Sequence, residues 1–292
     1  MAKKSDSAPQ MTAQEPELLP PANDVVFKYV FGDERNKGVT AKLLSAIMGA
    51  EIGESDITFG DPQLKREFID DKLGILDMFV RLKNGETVAV EMLTGNFSNI
   101  HKRLEYYISK LTAAQLGKGN EYPKLKPVVF ILIATDPVLK NTDKYHSEFA
   151  MMEKNEHYVL HDLRTLHIIE LSKLPPNSHG RLVSWLKFIL AKRKEELVTL
   201  VKENPELQYA CNVLVEANLT AEVRTLYEID LKRWRDEQDR TEYAVQTAVQ
   251  TAVQETLEKA EAEKDAAVEH AIALVKQGYS EEQVKAMLRK KD

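Results

Sequence analysis

An α/β domain with a mixed sheet covered by helices on both faces, running into an all-helical C-terminal part, is the fold that this sequence predicts. Three observations predict it. Gly74 to Leu93, GILDMFVRLKNGETVAVEML, reads as two apolar strands joined at Asn84-Gly85, the strongest short-range hairpin signal. A helical segment then separates this hairpin from a continuous apolar run of strand type, VVFILIAT after Pro127, which makes the sheet mixed. From Gly180 onward the apolar residues follow helical spacing to the end of the chain.

Residues 1–20 are rich in Ser, Pro, Ala, Gln and Glu without periodicity and read as a disordered tail. A cap at Asn23 or Asp24 starts a helix whose Val26, Phe27, Val30 and Phe31 share a face, and Gly32 ends it. A second helix, Lys37 to Met48, carries Val39, Leu43, Leu44 and Ile47 and stops at Gly49. Asp56 to Phe68 reads as a short edge strand broken at Gly60 and Pro62. After the hairpin, Thr94-Gly95-Asn96 turns the chain into a helix of roughly Ser98 to Gln115. Its apolar face is Ile100, Leu104, Tyr107, Ile108 and Leu111, and His101, Lys102, Arg103 and Lys110 make it basic. Polar, His-bearing chain follows Asp136, and a further strand is expected at Leu166 to Glu170.

The hairpin carries one acid on each strand, Asp77 and Glu91, and its register decides what they can do. A two-residue Asn84-Gly85 loop pairs Lys83 with Glu86 and sends the two acids to opposite faces. A Lys83-Asn84-Gly85 loop, with Gly85 left-handed in a bulge, pairs Leu82 with Glu86 and sets Asp77 opposite Glu91. Both strand faces are apolar, as in interior strands. Ile75 and Phe79 flank Asp77, and Ala89 and Leu93 flank Glu91. Lone ionised carboxylates there cost several kcal/mol, and a neighbouring pair raises each other's pKa. A divalent cation removes that penalty, and oxygen ligands suit magnesium or manganese. The second register is therefore favoured. Acids at exposed strand ends, or paired with Lys72 or Arg103, remain the alternative.

At 292 residues with 29% charged and 43% hydrophobic residues, the chain has ordinary globular composition and length for an ample core. A formal net charge of -6 means that any nucleic-acid contact has to come from local basic patches. The single cysteine, Cys211, excludes a disulfide framework and a cysteine-rich zinc site and fits a reducing cytoplasm. No run approaches the roughly 18 apolar residues of a membrane span. The basic start has no apolar segment behind it, so it is not a secretory signal. The seven histidines show no zinc spacing, and no H-E-x-x-H frame surrounds His157 and His161.

In the helical part, Leu182, Trp185, Leu186 and Ile189 form one stripe, followed by Leu197 to Val201, Leu207 to Val215 and Val223, Leu226, Tyr227 and Leu231. Tyr243 to Ala267 holds the four-residue repeat TAVQTAVQ, with a thin stripe at Val245, Val249 and Val253 that fits an exposed helix or a self-associating coiled coil. Ile272 to Leu288 reads as a helical hairpin with a turn at Gly278 and a capping box from Ser280 to Gln283. Without a third helix, self-association is preferred there over DNA reading. Four regions are expected: the tail 1–20, an α/β core 21–178, a helical subdomain 179–240, and an extended helix with hairpin 241–292.

DVVFKYVFG, FIDDKLGILDMFVRLKNGETVAVEM and KRLEYYISKLTAAQLGKGNEYPKLKPVVFILI, in that order, resemble the recombination-promoting nuclease (Rpn) family, bacterial transposase-type proteins of the PD-(D/E)XK nuclease superfamily. The similarity continues through KYHSEFAMMEKNEHYVLHDLRTLHIIELSKLP, VRTLYEIDLKRWRDE and the GYSEEQVKAML hairpin, over roughly residues 22–290. It implies a restriction-endonuclease-like core and a magnesium-dependent endonuclease that hydrolyses DNA phosphodiesters as a hydrolase of mobile-element type. Asp77 and Glu91 match the family's metal-binding acids, and the Met92 carbonyl is the expected further ligand. Lys72, Arg103 and Tyr107 match positions kept polar or basic and are expected to bind substrate. Where the family places Gln, and the superfamily Lys, this chain has Leu93, which can neither hydrogen-bond nor carry charge. Two readings result: an endonuclease with reduced turnover, or a degenerate nuclease fold that binds DNA or a protein without efficient cleavage.

Overall fold

The computed structural model describes residues 18–60, 77–95, 99–116 and 121–288. The chain divides into two compact units between Glu228 and Ile229. Among the described residues, the first unit is built on a six-stranded sheet of order β1-β2-β3-β4-β6-β5. Its strands are β1 (Ile57–Phe59), β2 (Met78–Leu82), β3 (Thr87–Leu93), β4 (Val128–Ala134), β5 (His146–Ala150) and β6 (Arg164–Glu170). β1, β2 and β3 are antiparallel neighbours, β3, β4 and β6 are parallel, and β5 closes the far edge antiparallel to β6. The sheet is mixed, as the alternation of hairpin, helix and strand predicts.

Side chains alternate along each strand, so the sheet separates two apolar layers. Val88, Val90, Met92, Ile131 and Ile133 face one layer, with α1 (Asp24–Phe31), α2 (Lys37–Met48) and the later helices α4 (Arg181–Leu190), α5 (Lys194–Glu203) and α6 (Gln208–Leu219). Phe79, Ala89, Leu93, Phe130 and Leu132 face the other, covered by α3 (Ile100–Ala113) through Ile100, Leu104, Tyr107, Ile108 and Leu111. β4 is buried along its whole length, which its unbroken apolar run requires.

Asn23 caps α1, its side chain accepting from the Val25 and Val26 amides. Leu18 and Leu19, expected to belong to the tail, are buried in the core, and the Leu19 amide donates to Asn218 Oδ1 at 2.7 Å. A buried asparagine thus anchors the entering chain, a contact that local composition does not reveal. Residues 1–17 lie outside the described residues, as do 61–76, which hold the second half of the expected first strand, Gly74 and Lys72. The sheet has one element that sequence patterning did not foretell. β5, HSEFA, is a polar edge strand with little apolar alternation to announce it.

The second unit, from Ile229 on, consists of most of α7 (Ala221–Lys276, 56 residues) and of α8 (Glu281–Leu288). Gly278 turns at φ +94°, and the Ser280 amide and side chain exchange hydrogen bonds with Gln283, the capping box expected there. No helix among the described residues is long and apolar enough to cross a membrane.

Candidate active site

The β2–β3 turn fixes the site. Leu82 donates to the Glu86 carbonyl at 2.8 Å, Gly85 donates to Leu82 at 2.9 Å, and Gly85 sits at φ +92°, where an L side chain is strained. The ladder runs Met78↔Val90, Phe79↔Ala89, Val80↔Val88 and Arg81↔Thr87. This is the bulged three-residue loop, and one further step along it sets Asp77 opposite Glu91. Both carboxylates are nearly enclosed, with side chains 6% and 5% exposed.

Each acid has a defined partner set. Asp77 Oδ2 accepts from the Met92 amide at 2.7 Å, and Asp77 Oδ1 lies 3.0 Å from Lys28 Nζ of α1. An extended residue points its N–H and C=O to the same strand edge, so the Met92 carbonyl is directed to the Asp77 side as well. Glu91 Oε1 is paired with the Arg103 guanidinium of α3, while Glu91 Oε2 is buried with no hydrogen-bond partner among the described residues. Arg103 also donates to Tyr107 Oη at 3.3 Å and lies 5.5 Å from that ring's centroid. Tyr107 stacks on Phe130 at 6.0 Å, which holds the α3 face against the sheet.

Asp24 and Lys28 were not found by sequence reasoning. Lys28 lies 2.8 Å from Asp24 as well as 3.0 Å from Asp77, so α1 brings an acid and a base into the cluster. The available signal was the Asp–Lys pair four residues apart on an otherwise apolar helix. Three acids, Asp24, Asp77 and Glu91, then surround two cations, Lys28 and Arg103. Fully ionised, these five described side chains carry one negative charge in excess. Burial, and then the contact with Asp24, push the Asp77 carboxyl well above the ordinary range, against the pull of Lys28. Burial also raises Glu91 to about 7 even with Arg103 beside it.

These groups suit a divalent cation in chemistry: hard oxygen donors and, among the described residues, one carboxylate oxygen without a partner and surplus negative charge. Among the described residues no group of three or more His, Cys, Asp or Glu side chains is arranged to hold a metal. Two carboxylates, the Met92 carbonyl and solvent would make up such a ligand set. Leu93, two residues beyond Glu91, is 4% exposed in the apolar layer under α3. Glu91 is paired with Arg103, the pairing that the sequence offered as the alternative to a metal site, and Tyr107 joins them through Arg103; Lys72 lies outside the described residues.

A mixed sheet flanked by helices, with a carboxylate on each strand of its central hairpin, is the architecture of the PD-(D/E)XK nuclease class. Residues 21–244 match the family described as PD-(D/E)XK nuclease family transposase, and the chain belongs to that family. No curated protein and no solved structure matches it. Membership suggests nuclease activity, with DNA as partner and a divalent metal as its usual requirement.

Proposed function

We propose that the protein is a magnesium-dependent DNA endonuclease, with manganese as an alternative ion, and that Asp77, Glu91 and the Met92 carbonyl hold the cation. The observation that carries this reading is the opposition of Asp77 and Glu91 across one register of the hairpin, with buried Glu91 Oε2 left without a partner among the described residues. A cation bound there would supply a lowered pKa for the attacking water and charge stabilisation on the phosphate oxygens. Asp77 keeps its geometry through the Met92 amide. In this reading Arg103, held by Tyr107, binds a substrate phosphate oxygen, and Lys72 is assigned to the same phosphate. Lys28 balances the acids in the absence of metal. A homo-oligomer formed through residues 241–292 belongs to the same proposal.

A second reading, a nuclease fold that binds without efficient cleavage, draws on Leu93. A buried leucine occupies the position at which the family places a water-positioning glutamine, and loss of one such group costs on the order of a hundredfold in rate. Plasmid nicking in magnesium separates the two. The wild type is expected to nick slowly, Asp77→Ala and Glu91→Ala to lose a hundredfold or so of that rate, and Leu93→Gln to exceed the wild type. Nicking that persists unchanged in Asp77→Ala overturns the endonuclease reading.

A further inference from the structure

The first unit has a groove of about 970 Å³, within the size range of ligand sites. His101 of the first turn of α3 lines it on one side, the loop after β4 with Lys140, Asn141 and Lys144 on another, and the edge strand β5 with Glu148 and Phe149 on a third. The groove and the acid pair share a helix turn: His101 stands two residues before Arg103, which is paired with Glu91. They also share one end of the sheet, because the loop leaves β4 where the Thr135 amide donates to the Leu93 carbonyl of β3 at 2.9 Å.

The groove wall is preorganised. Buried Glu170 accepts from the Val138 and Leu139 amides at 2.6 and 2.9 Å, and Lys173 Nζ binds the Leu139 and Thr142 carbonyls at 2.6 and 2.7 Å. A loop held this way loses little freedom when a ligand arrives. Lys140 and Lys144 stand exposed on it, and neither side chain has a salt-bridge partner among the described residues. Opposite them Phe149, 44% exposed, presents an aromatic ring on the edge strand.

We propose that this groove binds a single-stranded DNA segment adjoining the scissile phosphate, with Lys140, Lys144 and His101 on the phosphates and Phe149 stacked on an unpaired base. The proposal rests on the endonuclease reading for the polarity of the strand and adds a substrate class to it. The ring decides between strand types. Basic side chains alone serve a duplex equally well, but the bases of a duplex are already stacked on one another, and only an unpaired base offers a face to Phe149. Glu148 is the one acid among the described lining residues, and it limits the charge of the groove without cancelling the two lysines.

Fluorescence anisotropy with a labelled oligothymidylate and with a labelled duplex, in chelator so that cleavage plays no part, tests this on the full chain. The wild type is expected to prefer the single strand. Phe149→Ala should weaken single-strand binding at least roughly fivefold and leave duplex binding nearly unchanged. Lys140→Ala/Lys144→Ala should reduce the salt dependence of single-strand binding by a slope of about 1.4, the loss of two phosphate contacts. Equal affinity for the two probes, or variants that bind as the wild type does, overturns the groove. That failure is distinct from failure of the acid pair, which plasmid nicking by Asp77→Ala reports separately.

Discussion

At the scale of single residues, Glu91 links protonation to both folding and metal binding. Its carboxyl is raised by burial from the ordinary 4.5 to about 7. Below about pH 7 the folded metal-free protein therefore favours the protonated acid. The stability contributed by that shift is fully present below about pH 4.5 and is lost as pH rises through about 7. A cation reverses the preference because it requires the carboxylate. The rise in melting temperature on adding magnesium should thus be small near pH 6 and grow through about pH 8, and Glu91→Gln should reduce that growth to the part that Asp77 contributes. Melting curves with and without magnesium across this range check it; a shift independent of pH removes Glu91 from the ligand set. The two acids were legible in the sequence because burial on both strand faces leaves an acid few alternatives. Asp24 and Lys28 were not, since they reach Asp77 from a helix about fifty residues earlier, and no local pattern encodes that contact. Leu93 was legible as a departure from the pattern that the resemblance implies, and it packs in the apolar layer under α3.

Elements are positioned by a few close approaches, and the one that brings α1 to the acids depends on Gly32. A Cβ there would stand 2.8 Å from the Lys28 carbonyl and 3.0 Å from the Asp77 carbonyl, both backbone atoms with little room to give. Gly32→Ala is expected to push the end of α1 off Asp77, to destabilise by about 1–3 kcal/mol, and to slow nicking roughly tenfold or more. Gly49→Ala is the control. Gly49 ends α2 at φ +69° with open space around it, so the variant is strained by about 1–2 kcal/mol without touching the acids. Nicking rates per folded molecule, with stability measured separately, distinguish the two; equal rates in both variants show that the α1 contact is not needed. Hairpin, helices and central strands were readable because their apolar periods are strong. β5 was not, because an exposed edge strand needs no apolar face, yet it forms one wall of the groove.

On the scale of the whole molecule, α7 poses a problem of exposed apolar surface. Its 56 residues extend about 84 Å, and beyond Val223 near its start its side chains are partly or fully exposed. Val245, Val249, Val253 and Leu257 are each more than half exposed. Burying one such side chain fully is worth about 1.5–3 kcal/mol, so a partner along the stripe would stabilise the helix substantially. A second copy fits, because Tyr243 to Gln254 holds no charged residue and two copies meet there without like-charge repulsion. A spacing of four residues exceeds the helical period, so the stripe drifts around the helix, and two copies that follow it wind with a right-handed sense, as in repeats longer than 3.6 residues per turn. Val249→Glu/Val253→Glu places two buried charges on each chain at the centre of that contact and is expected to convert an oligomer into a monomer in sedimentation velocity, with helix content retained by circular dichroism. A wild type that sediments as a monomer at tens of micromolar, on the order of the affinities of weak complexes, removes self-association through α7; so does a double variant that stays oligomeric.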